Sequence, residues 1–340
     1  MTEESAVNRN VHLVGSLNLP SPEAVFTTVG ESLGNRILRV PDGEFGERSN
    51  WSQFGASQLL DYDAFEHGGP SPFGGFWVQL SEGAAQSPLK VSPPGYAKHA
   101  KASYATFRAL RDEGKLPAGT RFLVALPTPF AWVGYLVVED RAAVEPALEE
   151  AMLEDLRDIC EAIPAADLAI QWDVSNEVGA LEEIEPTHFD NILDGCAERL
   201  ARMIDAVPAG VEVGLHLCYG SYEDQHFVEP KDATVMVDLT NAILDRTSRT
   251  LDFVHMPVPI ERDDAEYFAP LKGLKRDRIS ELYLGLVHIE DGIEGSQRRL
   301  AAARTATETF GIATECGVAR LDEATMRPLL ELQAQSADLT

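Results

Sequence analysis

The sequence predicts an α/β fold, a (β/α)8 TIM barrel formed by a single domain over residues 1–340. Short apolar runs rich in β-branched residues alternate with amphipathic helical stretches along the chain. Eight such runs can be counted, which is the number of strands in this barrel. Polar side chains capable of chemistry follow nearly all of these runs, and the strands of a barrel converge at their carboxyl ends. A doubly wound sheet would not gather all eight strand ends in one place.

The predicted elements follow one another in the order that this fold requires. Strands are predicted at residues 11–15, 36–40, 121–126, 168–172, 211–217, 251–256, 282–287 and 311–314. Helical patterns occupy residues 22–33, 142–162, 187–206, 233–246, 260–271, 295–309 and 323–335. Most strands are therefore separated by a helix, as the crossover connections of a parallel sheet require.

The longest connection, residues 47–118, is an insertion after the second predicted strand. It contains a glycine- and proline-rich run from Gly68 to Trp77, a second run from Ser92 to Tyr96, and a helical pattern near residues 98–113. An insertion this long in a compact domain is usually a lid or a binding loop, and its aromatic side chains could cover a ligand. A surface excursion without a role is an equally weighted alternative.

Composition and charge limit the class of protein. With 340 residues and 44% hydrophobic content, the chain can bury a large core. Its formal net charge of -27 argues against nucleic-acid and anionic-membrane partners. The chain has no run of about twenty apolar residues, and its polar amino terminus lacks a signal-peptide core. We therefore expect a soluble, cytoplasmic protein that acts on a small molecule.

Three residues that end apolar runs have the chemistry of a metal site. His216 and Cys218 form an H-x-C step, and Cys316 ends a later run. In an extended strand, residues i and i+2 point the same way, so His216 and Cys218 can reach one metal ion together. Imidazole and two thiolates suit Zn²⁺, and three protein ligands leave a fourth position for a substrate atom or water. The pattern therefore favours a catalytic zinc site over a structural one.

The alternative is that these cysteines only fill space, since free cysteine is among the most buried residue types and an isolated H-x-C step is a weak signal. Cys160 and Cys196 lie within helical patterns and are expected to be such core filler. Four cysteines in a chain of this length do not make a disulfide framework. A reducing compartment would keep the thiolates free for metal.

Short motifs stand at the predicted strand ends. They are Val11-His-Leu-Val-Gly-Ser16, Asp42-Gly-Glu44-Phe-Gly-Glu-Arg48, Ile170-Gln-Trp-Asp173, His216-Leu-Cys218-Tyr, Val287-His288 and Glu315-Cys316-Gly. In their order and placement they resemble the motifs I-G-S, H-G-E-F-E-R, I-Q-I-D, H-M-C-Y, D-I-H and D-C-G of cobalamin-independent methionine synthase. The resemblance is to the catalytic domain and extends over most of the chain. The chain is thus identified as a divergent, single-domain member of that superfamily.

The resemblance implies a zinc site, and this chain departs from the family at one of the zinc ligands. In that family the H-x-C pair and the late cysteine bind zinc, which holds the thiol of homocysteine as a thiolate for attack on a folate methyl group. His216, Cys218 and Cys316 would have this role here. A glutamate completes the family's zinc sphere at the end of the sixth strand, where this chain has Pro257. His255, on the same strand face, is a replacement ligand, a substrate contact or a histidine that lines the barrel.

The resemblance also implies substrate contacts. Ser16, Glu44 and Asp173 would hold the amino-acid part of a thiol substrate. His288 would be the acid or electrostatic partner at the leaving group, so His288 and Asp173 are the expected catalytic residues. The acidic residue that follows the aspartate of the family's I-Q-I-D motif is Val174 here. The resemblance does not include the N-terminal duplicated barrel of long methionine synthases, so we do not expect a polyglutamyl-folate cradle.

The expected function is zinc-dependent transfer of a methyl or other alkyl group to a thiol such as homocysteine, from a folate or another methyl donor. A lyase or hydrolase would keep the fold and the zinc, with the metal activating water or polarising a carbonyl. A non-catalytic barrel that binds a thiol or amino acid is the third interpretation. A pure binder needs no acid opposite the metal, so His288 argues against it. Product formation that depends on an added thiol separates the first two interpretations.

Overall fold

One curled sheet of parallel strands forms the centre of the structure. The computed structural model describes residues 10–49, 51–71, 76–84, 88–220 and 225–340. The strands of the curled sheet are β1 (Arg39–Pro41), β4 (Arg121–Pro127), β5 (Leu168–Val174), β6 (Glu212–Leu217), β7 (Leu251–Pro257), β8 (Ile279–Val287) and β9 (Gly311–Thr314). They pair side by side in that order, and every pairing is parallel. A separate antiparallel hairpin consists of β2 (Phe65–Pro70) and β3 (Phe76–Leu80).

Helices connect the strands and bury their apolar faces against the sheet. In α1, the residues Val25, Val29 and Leu33 recur at helical spacing and are all buried. None of the helices in the described ranges is long and apolar enough to cross a membrane. The helices are α1 (Pro22–Leu33), α2 (Trp51–Ala56), α3 (Tyr96–Asp112), α4 (Pro129–Val133), α5 (Val138–Ala162), α6 (Asn176–Leu181), α7 (Ile192–Ala206), α8 (Thr234–Leu244), α9 (Ala265–Phe268), α10 (Gly292–Ala303) and α11 (Glu323–Ala337).

The structure confirms the α/β class and a curled parallel sheet that is consistent with a TIM-like barrel. The sequence predicts a strand at each position that β4 to β9 occupy after the insertion, and the structure has a strand at each. The helix predicted at residues 260–271 is much shorter, because α9 ends at Phe268 and a 3-10 turn follows. Pro270 in that turn has no backbone N–H with which to continue the helical hydrogen bonds.

The prediction of a closed barrel with eight strands is wrong at its first strand, residues 11–15. This segment makes isolated parallel bridges instead of a ladder, and Val11 bridges both Ile37 and Ile312. Consecutive residues bond to opposite edges of the sheet: the N–H of Val11 donates to Arg36 O (3.0 Å) and that of His12 to Ile312 O (2.9 Å). Since its bonds are divided between two neighbours, the segment joins the edges of a seven-stranded sheet without forming a strand.

The insertion at residues 47–118 contains α2, the β2–β3 hairpin and α3. The hairpin contacts the segment before α5, where the N–H of Val78 donates to Tyr135 O (2.8 Å). The N–H groups of Gly95 and Tyr96, at the start of α3, both donate to Asp155 Oδ2 on α5 (2.8 and 2.7 Å). Part of the glycine-rich run predicted as a lid, residues 72–75, lies outside the described residues. The lid remains a prediction.

Arg39 links strands at the amino-terminal end of the sheet. Its side chain is 3% exposed, and it pairs with Glu212 Oε2 and Glu281 Oε2, each at 2.6 Å. The guanidinium lies 4.3 Å from the centre of the Phe253 ring. Arg121 forms a second ion pair with Glu212 (2.8 Å). Arg39 on β1 therefore holds β6, β7 and β8 together across the interior of the sheet.

We expect Arg39→Met to lower the free energy of unfolding by about 2–4 kcal/mol, because it leaves two carboxylates with less compensation in a mostly buried place. Arg36→Met is the control: its pair with Asp338 is exposed (34% and 61%) and should contribute less than about 1 kcal/mol. Urea denaturation of both variants measures the difference. Equal losses would mean that the buried cation has no special part in the stability of the sheet.

Candidate metal centre and its two cavities

The H-x-C step lies at the carboxyl end of β6. His216 is within the strand, and the N–H of Cys218 donates to Val174 O (2.9 Å), which continues the parallel pairing with β5. Both residues are buried, at 3% and 7% exposure. The extended backbone therefore directs both side chains to the same face, as the spacing predicts.

Cys316, two residues after the end of β9, completes the cluster. Its Sγ lies 3.7 Å from Cys218 Sγ and 3.6 Å from His216 Nε2. One ligand atom from each of the three residues lies within 4.8 Å of the others. The hydrogen bond with Cys218 holds the pKa of Cys316 well below its ordinary value, with His216 acting in the same direction. The same hydrogen bond and burial raise the pKa of Cys218.

These distances fit a tetrahedral zinc ion. Bonds of about 2.3 Å to sulfur and about 2.0–2.1 Å to nitrogen in a tetrahedron separate two sulfurs by roughly 3.8 Å and sulfur from nitrogen by roughly 3.5 Å. The separations of 3.7 and 3.6 Å are close to both values. Two thiols and an imidazole are also the donor types that zinc prefers. His216, Cys218 and Cys316 could therefore hold a zinc ion with one position left open.

His255 lies behind this cluster. Its Nδ1 is 2.7 Å from Nδ1 of His216, and its Nε2 is 3.1 Å from the carbonyl oxygen of Thr314. Both ring nitrogens are thus engaged, so the contacts do not favour the replacement-ligand role. Burial holds the pKa of His255 well below its ordinary value, so the ring is neutral. Pro257, at the end of the same strand, offers no ligand atom.

A cavity of about 70 Å³ opens on one side of the cluster. Ser16, Glu44 and Asp173 all line it, together with His216 and both thiols. Three residues from separate parts of the chain, which the sequence predicts as substrate contacts, therefore lie around one space beside the cluster. Ser49, within the insertion, also lines this cavity.

Two partly buried carboxyl groups dominate the electrostatics of this smaller cavity. Burial and, next, the Asp42 carboxylate raise the pKa of Glu44 to about 8. Burial and then Glu44 raise the pKa of Asp173 well above its ordinary value, although Gln171 Nε2 donates to Asp173 Oδ1 (2.8 Å). A cationic ligand between them would favour their charged forms. The cavity therefore suits an ammonium group.

Asp42 directly follows β1, but its side chain has a structural role. Its Oδ2 pairs with Arg48 Nη2 (2.7 Å) and accepts from the hydroxyl of Ser103 (2.6 Å). Its Oδ1 accepts from the N–H of Glu44 (3.0 Å), whose φ is 53°. Asp42 therefore holds Glu44 in a backbone conformation that L residues rarely adopt.

A larger cavity of about 290 Å³ is also lined by the two thiols, and His288 lines it as well. Nε2 of His288 donates to Val258 O (2.8 Å), which directs its Nδ1 toward Glu315 Oε2 at 4.0 Å. Sequence reasoning missed two other residues beside His288, which are Glu315 and His226. Nε2 of His226 lies 3.0 Å from Glu315 Oε1. The position of Glu315 beside Cys316 was the available signal for it, whereas His226 lies in a polar loop with no periodic pattern.

Known proteins share the fold at low sequence identity. No family model matches the sequence, and no curated protein matches it significantly. The structure of a B12-independent methionine synthase from Shewanella sp. W3-18-1, in complex with selenomethionine, has a TM-score of 0.62 at 15% identity and covers 98% of each chain. A candidate vitamin-B12-independent methionine synthase from Listeria monocytogenes has a TM-score of 0.57 at 15% identity, covering 93% of this chain and 86% of that one. At identities this low, the TM-scores establish a common fold and nothing more.

Glu44→Gln should stabilise the metal-free chain at pH 8. The folded chain keeps a proton on Glu44 up to about pH 8, whereas the unfolded chain releases it near its ordinary value of 4.5. Stability from this group is therefore lost as the pH rises through that window. We expect the variant to be more stable than wild type by roughly 1–3 kcal/mol at pH 8, and by less toward pH 5.

Urea denaturation at several pH values measures this effect, with the exposed Glu308→Gln as the control. An offset between Glu44→Gln and wild type that does not change with pH would contradict the ionisation argument.

Proposed function

We propose that this protein is a zinc-dependent methyltransferase related to the cobalamin-independent methionine synthases, acting on an amino-acid thiol such as homocysteine. The observation that carries the proposal is the position of the His216, Cys218 and Cys316 cluster. Its two thiols line both a cavity with two partly buried acids and a cavity with a histidine. A thiol substrate in the first cavity and a methyl donor in the second would meet at the cluster.

His216, Cys218 and Cys316 would hold the zinc ion beside the cavity that would bind the substrate thiol. Zinc, when bound, lowers the pKa of a coordinated thiol and so supplies the nucleophilic form of sulfur at neutral pH. The short separations among the three side chains mean that they need little rearrangement to bind the ion. The remaining steps depend on residues outside the cluster.

Glu44 and Asp173 would bind the ammonium group of the amino acid. Both are partly buried, and Glu44 raises the pKa of Asp173. A cation between the two carboxyl groups would favour their charged forms. Charge-assisted hydrogen bonds of this kind contribute about 1.5–3 kcal/mol each. Ser16, which lines the same cavity, would add a hydroxyl contact. These contacts place the thiol end of the substrate toward the sulfurs of the cluster.

His288 would protonate the group that loses the methyl. As the substrate sulfur forms its bond to the methyl carbon, the bond from that carbon to the donor atom breaks, and the donor atom keeps the electron pair. Because Nε2 already carries the hydrogen that bonds Val258 O, a proton on Nδ1 requires the charged form of the His288 ring. Burial lowers the pKa of His288, and the Glu315 carboxylate near Nδ1 acts in the opposite direction. The charged ring would give its Nδ1 proton to the donor atom and return to the neutral form. A folate is one donor class that gains such a proton at nitrogen.

Glu315 and His226 would hold His288 in place. His226 has a carboxylate at each ring nitrogen, Glu229 Oε1 at 3.1 Å and Glu315 Oε1 at 3.0 Å. The Glu315 carboxylate, followed by Glu229, raises the pKa of His226 to about 9, so the ring is a cation at neutral pH. This cation fixes Glu315, whose second oxygen faces Nδ1 of His288. The charged pair therefore orients the nitrogen that transfers the proton.

The metal prediction is that protein purified without chelator contains about one zinc per chain, as a three-ligand site requires. Cys218→Ser and Cys316→Ser should each lose most of it, because a hydroxyl is a poor zinc ligand. Cys160→Ser is the matched control, since Cys160 lies on α5 outside the cluster. Elemental analysis measures all three variants. Full zinc content in both cluster variants would rule out this site.

The substrate prediction separates binding from chemistry. Asp173→Asn should weaken homocysteine binding by roughly 10- to 100-fold, since it removes a charge that faces the ammonium group. His288→Asn should leave that binding nearly unchanged and lower kcat by about a hundredfold or more. Calorimetry with homocysteine and turnover with 5-methyltetrahydrofolate measure the two effects.

Two outcomes would redirect the proposal. Turnover of His288→Asn at the wild-type rate would remove His288 from the chemistry. Zinc-loaded protein that binds neither homocysteine nor other small thiols would favour a lyase or hydrolase on the same scaffold.

A further inference from the structure

A line of buried hydrogen bonds connects β9 to the candidate metal ligand on β6. It begins at the carbonyl oxygen of Thr314, which is 3.1 Å from Nε2 of His255. It continues from Nδ1 of His255 to Nδ1 of His216 at 2.7 Å. All three residues are buried, with His255 at 0% exposure. Water is therefore not the partner of these ring nitrogens.

The carbonyl at the start of this line determines where each proton lies. A carbonyl oxygen can only accept, so the hydrogen of the bond to Thr314 belongs to Nε2 of His255. A neutral imidazole has one N–H, so Nδ1 of His255 is an acceptor. His216 must then donate from its own Nδ1. In the neutral form of His216, Nε2 then carries no hydrogen and has a lone pair, and this is the atom 3.6 Å from Cys316 Sγ.

We propose that His255 is a positioning residue that selects the tautomer of His216 and so presents Nε2 of His216 as a metal ligand. This role rests on the proposed zinc site. Metal-bound histidines usually donate their second N–H to an oxygen acceptor, which fixes the ring and its tautomer. Here a neutral histidine is the acceptor, and a backbone carbonyl two strands away from β7 fixes that histidine in turn.

Gly285 on β8 makes the line possible. β8 lies between β7 and β9 in the sheet. A Cβ atom at residue 285 would lie 2.9 Å from Nε2 of His255 and 2.8 Å from the oxygen of Thr314, the two atoms that share the hydrogen bond. Any larger residue would push them apart. The absence of a side chain at residue 285 therefore lets His255 reach across β8.

His12 provides a matched control, because it is a second buried histidine beside the same ring. Its centroid is 5.8 Å from that of His255, and its Nε2 is 2.8 Å from Gln171 Oε1. Replacing His12 removes an imidazole from the same interior without removing a member of the line. A general effect of losing a buried ring would appear in both variants, whereas the loss of the line would appear only at His255.

The test measures the tautomer of metal-free chains by long-range ¹H–¹⁵N correlation and zinc affinity by competition with a chelator. We expect wild-type His216 to carry its proton on Nδ1. His255→Phe should lose that preference and weaken zinc binding by roughly 10- to 100-fold. His255→Asn should retain most of the affinity, since its Oδ1 can accept in place of Nδ1. His12→Phe should bind zinc as wild type does.

Three results would overturn the inference: a wild-type His216 protonated on Nε2, a His255→Phe variant with wild-type affinity, or equal losses in His255→Phe and His255→Asn. The wild-type tautomer decides the question even where a variant fails to fold. Wild-type protein that binds no zinc would overturn the metal site and the proposed function, while the spectrum of that same chain would still report which nitrogen carries the proton.

Discussion

The curl of the parallel sheet is the constraint on which the site depends. Cys218 follows β6 and Cys316 follows β9, and two strands separate them in the sheet. In a flat sheet, three strand spacings would place such residues roughly 14 Å apart. Their sulfurs are 3.7 Å apart. Only a sheet that curls enough to bring the ends of nonadjacent strands together can produce this contact, and both cavities beside the cluster have the same origin.

Glycines opposite large rings help the sheet to curl. A Cβ at residue 214 would lie 2.4 Å from the Phe253 ring, and one at residue 311 would lie 2.5 Å from the Tyr283 ring. The rings of one strand therefore occupy space that the neighbouring strand leaves open, as in the alternating layers of a barrel interior. Arg39 pairs with carboxylates at the opposite end of the sheet from the thiols. The end of the sheet with these ion pairs and the end with the thiols are thus separate.

The end of the sheet with the thiols contains features that oppose stability. Glu44 has a positive φ, and both Glu44 and Asp173 are partly buried carboxyl groups with raised pKa values. Structures usually avoid such a pair unless a cation joins it. Asp42 and Arg48 form an ion pair beside Glu44, so the rest of the local network is compensated. The uncompensated acids face the small cavity, as a binding site for a positively charged group requires.

The sequence by itself determined the strands after the insertion, because apolar runs and their spacing are local properties. It also predicted His216, Cys218 and Cys316 as candidate metal ligands, since the i and i+2 geometry of a strand pairs His216 with Cys218 and the ligand chemistry of zinc favours a further cysteine. Only the tertiary structure decided which nonlocal groups meet. The segment at residues 11–15 forms bridges without a ladder, because its hydrogen bonds are divided between two sheet edges. The contacts of His255 depend on the curl of the sheet and on Gly285 of the next strand, and those of His226 depend on a loop that returns to Glu315. These distances arise when the sheet curls, and no local pattern in the chain encodes them.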